Sequence, residues 1–162
     1  MRSIGSIMTQ LSTNFSLSEL TKSETALRHN MDNTPGQTEI ANLTVLAQHV
    51  LQPVRDHYKT GVKVNSGYRA PNVNASVGGS KTSDHCKGQA ADIEIPGIAN
   101  AELATWISAN LKFTQIILEF YTPGIPDSGW VHVSYNPADL KCQKLTAVKE
   151  NGKTVYKPGL IA

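Results

Sequence analysis

No apolar run in the 162-residue sequence approaches the roughly 18–20 residues that a membrane-crossing helix needs, so stable membrane insertion is not expected. Cysteine is scarce. Cys86 and Cys142 are too few for a disulfide scaffold or a four-cysteine zinc site; one bridge between them is open, and two ordinary thiols is the reading adopted. Charge of one sign is also lacking: 15 Lys+Arg against 13 Asp+Glu leaves +2, with none of the basic bias of a nucleic-acid binder. Arg2 is not followed by an apolar segment of about 7–15 residues, so no cleaved secretion signal is expected and the product should remain in the cytoplasm where it is made. What is present is a globular composition, 40% hydrophobic and 17% charged, the reverse of a disordered chain. The length suits one domain of about 100–200 residues, and a single domain over residues 1–162 is expected.

The first 15 or so residues are Ser/Thr/Asn-rich and read as irregular. Ser16 and Glu19 have the spacing of a capping box, predicting a helix over 17–28. Thr34, Pro35 and Gln37 form a second start signal. Ile40, Leu43, Ala47, Val50 and Val54 then recur at steps of three and four, one stripe on a helix over 36–58 that Pro53 should kink or loosen. His49 lies off the stripe and reads as solvated, His57 at its edge as a packed histidine. From Val62 the period shortens. VKVNSGYR, AADIEI, QIILEFY and GWVHVSY read as strands, SVGGSKTSDHCKGQ as loop and ANAELATWISANL as helix. The tail from Cys142 to Ala162 is compatible with a hairpin turning at Asn151-Gly152. Helices first and short strands later predict an α+β domain, N-terminal helices packed on a small antiparallel sheet.

Two segments carry metal-capable side chains. In Ser83-Asp84-His85-Cys86-Lys87-Gly88-Gln89-Ala90-Ala91-Asp92, a loop histidine and a strand aspartate seven residues on can bring an imidazole nitrogen and a carboxylate oxygen to one ion. In Trp130-Val131-His132-Val133-Ser134, alternation puts His132 on the face opposite Val131 and Val133. Two histidines and an aspartate with a fourth position left to water is a catalytic type of zinc site, whereas chance pairing and a solvated strand aspartate are the bland alternatives. Cys86 adjoins His85, but neighbours on an extended loop point in opposite directions, so a spectator thiol is expected.

In this order, SGYRAP at 66–71, GGSKTSDHCKGQAAD at 78–92 and WVHVSY at 130–135 resemble the M15 family of zinc peptidases, which includes D-alanyl-D-alanine carboxypeptidases and phage endolysins. The likeness is to the phage-type branch, extends through FSLSELTKSETALRHNMDNTP at 15–35, and covers about residues 15–137. It implies that His85, Asp92 and His132 hold Zn²⁺. It also implies that Arg69 binds a substrate carbonyl or carboxylate beside the metal and that Ser83 lines the substrate pocket. The bland readings are an Arg69 paired with a surface carboxylate and a Ser83 that caps a turn. Many M15 enzymes carry Glu or Asp three residues before the last histidine; here that position is Gly129. Glu119, ending a strand expected to pair with that of His132, is taken as the general base, ahead of Asp127 in the loop PGIPDSG.

The resemblance thus implies metal-assisted amide hydrolysis of a peptidoglycan peptide by a phage cell-wall lysis enzyme. A monomer is expected, made in the host cytoplasm and reaching the wall after release or as part of a virion. The alternatives are a non-catalytic wall-binding or structural module that keeps the fold, and a cytoplasmic D-Ala-D-Ala dipeptidase. The scissile linkage is left open among L-Ala–D-Glu, a D-Ala cross-link and a terminal D-Ala.

Overall fold

The computed structural model describes residues 9–161; the segment read for a secretion signal lies mostly outside them. Where an irregular start was expected, β1 (Gln10–Ser12) and β2 (Phe15–Ser16) pair antiparallel, and the buried side chains of Leu11 and Phe15 anchor them. The helix expected over 17–28 is divided into α1 (Leu17–Thr21) and α2 (Glu24–Arg28). Ser16 Oγ accepts from the Glu19 N–H at 3.2 Å, as its spacing predicted, and Ser23 Oγ accepts from the Ala26 N–H at 3.1 Å. This second cap, inside the stretch, is the local reason for the break.

The next start signal falls two residues later than the sequence suggested. Thr34 donates through its amide and hydroxyl to Asp32 Oδ1, and α3 (Gln37–Leu46) begins after Gly36, whose N–H donates to Glu39 Oε1 at 3.0 Å. It continues through a π-helical turn, Ala47–Leu51, into α4 (Gln52–Tyr58). Pro53 has no N–H to give, and just ahead of it the ladder slips by one residue, Gln52 N–H bonding to Ala47 five residues back. The Leu43, Ala47, Val50 and Val54 stripe is wholly buried. His49 and His57 both stay exposed, but each stacks on an aromatic ring, His49 on Tyr135 at 5.2 Å and His57 on Trp106 at 4.2 Å between centroids.

Six strands form the main sheet: β3 (Lys63–Ser66), β4 (Ala90–Glu94), β5 (Gln115–Glu119), β6 (Trp130–Ser134), β7 (Gln143–Glu150) and β8 (Lys153–Pro158). Their order is β3-β4-β6-β5-β7-β8, antiparallel except for the parallel β5–β7 pair. Helices α5 (Pro71–Ser76) and α6 (Asn100–Asn110) lie between strands in the chain. The α+β class therefore holds. The sheet is mostly antiparallel as expected, but the small sheet under N-terminal helices is corrected to a larger one with a parallel pair and helices interspersed. The parallel pair arises because Cys142 and Gln143 N–H groups donate to the Phe113 and Thr114 carbonyls, returning the chain to the start of β5 before β7 begins. The tail turns as its Asn-Gly predicted, Glu150 pairing with Lys153 across Asn151 and Gly152, both at positive φ.

Alternation gives the sheet two unlike faces. Ala91, Ile93, Ile116, Leu118, Val131 and Val133 are buried in one core with Leu43, Leu46 and Val50 of the long helix and Leu103 and Ile107 of α6. Each such aliphatic side chain contributes about 1.5–3 kcal/mol when fully buried. The residues between them, Asp92, Ile117, Glu119, Trp130 and His132, border a cleft on the opposite face. The packing that makes the core thus fixes which polar side chains converge.

Candidate active site

The β4–β6 register sets Asp92 directly opposite His132, with Asp92 Oδ1 3.0 Å from His132 Nδ1. His85 comes from a single 3₁₀ turn, Asp84–Lys87, that packs against this pair and places its Nε2 3.4 Å from the same carboxylate oxygen. Ser83 caps that turn, its Oγ accepting from the His85 N–H at 3.2 Å, and also borders the cleft. The three ligand atoms all lie within 4.8 Å of one another. Ligand atoms about 2.0–2.2 Å from a tetrahedral zinc stand roughly 3.4 Å apart, close to the two spacings measured here.

The chemistry of the donors also fits a cation. The Gly67 carbonyl accepts a hydrogen bond from His85 Nδ1 at 2.7 Å, which assigns that nitrogen the proton of a neutral ring and leaves Nε2 with a lone pair. Nε2 faces Asp92 Oδ1, to which the charged ring donates and beside which the neutral ring offers a lone pair to a cation. His85 is buried, whereas Asp92 and His132 keep 13% and 12% of their side chains accessible, so the group opens only toward the cleft. Burial opposes ionisation of Asp92, but the hydrogen bonds and charges of the two histidines outweigh it and hold the carboxyl well below the usual range. Burial likewise disfavours a charged His132, yet the hydrogen bond and charge of Asp92 raise it above an ordinary imidazole.

The SGYR segment is fastened at several points. Tyr68 N–H donates to the Leu20 carbonyl, Arg69 N–H to the His85 carbonyl and Ala70 N–H to Asn33 Oδ1. At position 67 a Cβ would run into the Leu20 carbonyl, so this close approach admits only glycine. Arg69 borders the cleft, and its buried Nε has no hydrogen-bond partner. No carboxylate pairs with Arg69 among the described residues.

Glu119 pairs with Trp130 across β5–β6 and sits diagonally from His132, on the cleft face. Trp130 Nε1–H donates to Glu119 Oε2 at 3.1 Å. Burial, seconded by the charge of Asp92, raises the Glu119 carboxyl above its usual value, and His132, Trp130 and Arg69 offset part of this. Asp127 is exposed and does not border the cleft. Gly129 sits at φ +64° with its absent Cβ directed at the Glu119 carbonyl and the Phe120 backbone. A side chain there would collide with the very strand that carries Glu119, which explains the missing carboxylate.

Cys86 and Cys142 are free, and Cys86 lies outside the metal-capable group. The reason differs from the expected one: His85 and Cys86 diverge on a helical turn, not on an extended loop. Burial raises the Cys86 thiol, with Arg69 opposing. Sequence reasoning missed three contributors. Trp130, two residues before His132 and hence on its face, was visible in the alternation. The Gly67 carbonyl and Tyr156, which joins the cleft from β8, depend on long-range packing and left no local signal.

No curated protein matches the chain. The sequence pattern of the family described as Peptidase M15 matches residues 13–134, well over half of the chain. Family members are zinc peptidases, and the His85–Asp92–His132 group supplies the kind of donors that zinc takes. The chain belongs to the peptidase M15 family.

Proposed function

We propose that this protein is a zinc-dependent peptidase that hydrolyses an amide bond in the stem or cross-link of bacterial peptidoglycan, working as a monomer and as a phage cell-wall lysis enzyme. The observation that carries this reading is the convergence of His85, Asp92 and His132 on one cleft that Glu119 and Arg69 also border. The phage role rests on the resemblance of residues 15–35 and the three later motifs to the phage-type branch.

His85, Asp92 and His132 would hold the ion. Zinc, when bound, polarises a carbonyl and lowers the pKa of a water from 15.7 to roughly 7. Glu119 is the general base. Its raised carboxyl is a stronger proton acceptor than an exposed glutamate, and the Trp130 N–H on Oε2 leaves Oε1 free to take a proton from water and deliver it to the leaving amine. Arg69 offers its guanidinium to a substrate carbonyl or carboxylate, giving the buried Nε the partner it lacks. The Ser83 hydroxyl holds the His85 turn with one lone pair and has its proton to offer a substrate.

Digestion of purified sacculi by the zinc-loaded protein, followed by mass spectrometry of the fragments, tests the reading and names the bond cut. Bound zinc without any cleavage would replace it with the wall-binding module. Hydrolysis of free D-Ala-D-Ala with sacculi left intact would replace it with the dipeptidase.

A further inference from the structure

A second cavity, of about 410 Å³, adjoins the cleft of about 390 Å³, and Arg69 borders both. Its wall includes Lys63, Val64, Asn65 and Ser66, all four residues of β3. The register of β3 on β4 shifts between Val64 and Ser66, and all four residues border the cavity. β3 is the terminal strand of the sheet, pairing with β4 alone among the described strands. The cavity therefore runs beside the terminal strand of the sheet, between it and residues 22–25, and a terminal strand is the feature to which an extended peptide adds by main-chain hydrogen bonds.

The charges around it are mostly of one sign. Lys22, Lys63 and Arg69 meet a single carboxylate, Glu24. Lys22 and Lys63 are exposed and in no ion pair among the described residues. Val64, Val73 and Val77 supply apolar wall between them. On its paired side β3 adjoins the metal-capable group, since Ser66 pairs with Asp92.

We infer that this cavity is a substrate subsite, which takes an extended peptide segment bearing a free carboxylate along the β3 edge, with Lys22 and Lys63 as specificity-determining residues. This rests on the peptidase reading and deepens it. The peptide passes Arg69 as it leaves the cleft, so the guanidinium aligns the chain while the lysines select for negative charge. In a peptidoglycan stem with lysine as its diamino residue the carboxylate has two sources, the α-carboxyl of the γ-linked glutamyl residue and the chain terminus.

The test uses the full-length zinc-loaded protein, as wild type and as the double variant Lys22→Gln/Lys63→Gln, with three synthetic stem pentapeptides: unmodified, amidated at the glutamyl carboxyl, and amidated at the terminus. Both Kd, by calorimetry, and kcat and KM are measured. The double variant is expected to weaken binding of the unmodified peptide by roughly five- to tenfold, with kcat unchanged. One of the two amidated peptides should bind wild type equally weakly and be indifferent to the substitutions, which names the carboxylate. Lysine substitutions that weaken all three peptides alike, or none, would overturn the subsite even if every peptide is cut. Charge-selective binding with no hydrolysis would instead uphold the subsite and overturn the peptidase reading.

Discussion

Replacing Glu119 by Gln separates chemistry from architecture at this site. The substitution keeps the shape of the side chain and a carbonyl oxygen for the Trp130 Nε1–H, whose 3.1 Å bond to Oε2 is the one hydrogen bond of the Glu119 side chain among the described residues. Removing its charge also removes the repulsion between Glu119 and Asp92 that helps raise the carboxyl. Folding stability should therefore change by less than about 1 kcal/mol, the size of one neutral hydrogen bond. Zinc content should stay at the wild-type level, because all three proposed ligands are untouched. The proposed general base is lost outright, and kcat should fall about 10²–10⁴-fold, equivalent to about 2.7–5.4 kcal/mol of transition-state stabilisation. The assay is the release of new amino groups from peptidoglycan at saturating substrate, with metal content and melting temperature determined on the same samples. The acid limb of kcat should lie above that of an ordinary glutamate in wild type and vanish in the residual activity of the variant. Asp127→Asn, altering an exposed residue away from the cleft, should leave kcat unchanged. If Glu119→Gln keeps more than a third of the wild-type kcat, or if Asp127→Asn shows the loss, the assignment of the base is wrong.

His85→Ala and His132→Ala should each abolish zinc retention and hydrolysis, and a chelator should inactivate wild type until Zn²⁺ is restored; metal analysis beside activity checks both. The zinc-free protein should show a stability window set by two opposite shifts. Asp92, depressed on folding, contributes stability above the ordinary carboxylate range that disappears as pH falls through its folded value. His132, raised on folding, contributes below the ordinary imidazole value of about 6.5 and loses that contribution as pH rises through its folded value. Melting temperatures of the zinc-free protein should thus decline from mildly acidic to alkaline pH, while added zinc, which needs the neutral imidazole, should stabilise more as pH rises. Gly67→Ala should cost about 1–3 kcal/mol in denaturant unfolding, because its methyl meets the Leu20 carbonyl and displaces the carbonyl that orients His85.

The strands around the site were legible because their period of two is strict. Asp92 with Ile93, and His132 with Val131 and Val133, announce their faces from neighbours alone, and the Asn151-Gly152 turn needs nothing beyond two residues at positive φ. The stripe on the long helix was equally plain, since burial repeats at helical spacing. Boundaries set by competing caps were not. Ser23 and Gly36 took over from the signals before them through hydrogen bonds to residues only three positions away, which composition does not rank. The position of β7 was invisible for another reason: its pairing with β5 follows from bonds between residues 28 or more positions apart. The ligand group could be named from motifs, but the carbonyl that sets the tautomer of His85 belongs to a backbone, and no side-chain pattern advertises it.

The family pattern stops at residue 134, where β6 ends, yet the sheet does not stop there. A fragment trimmed to that limit would strip β7 from β5 and lay bare the five residues of the strand that carries Glu119. A bared interior strand of that kind, aliphatic through Ile116, Ile117 and Leu118, invites self-association. The C-terminal hairpin is thus a protective cover for β5, and any shortened version of this protein has to carry it through Pro158.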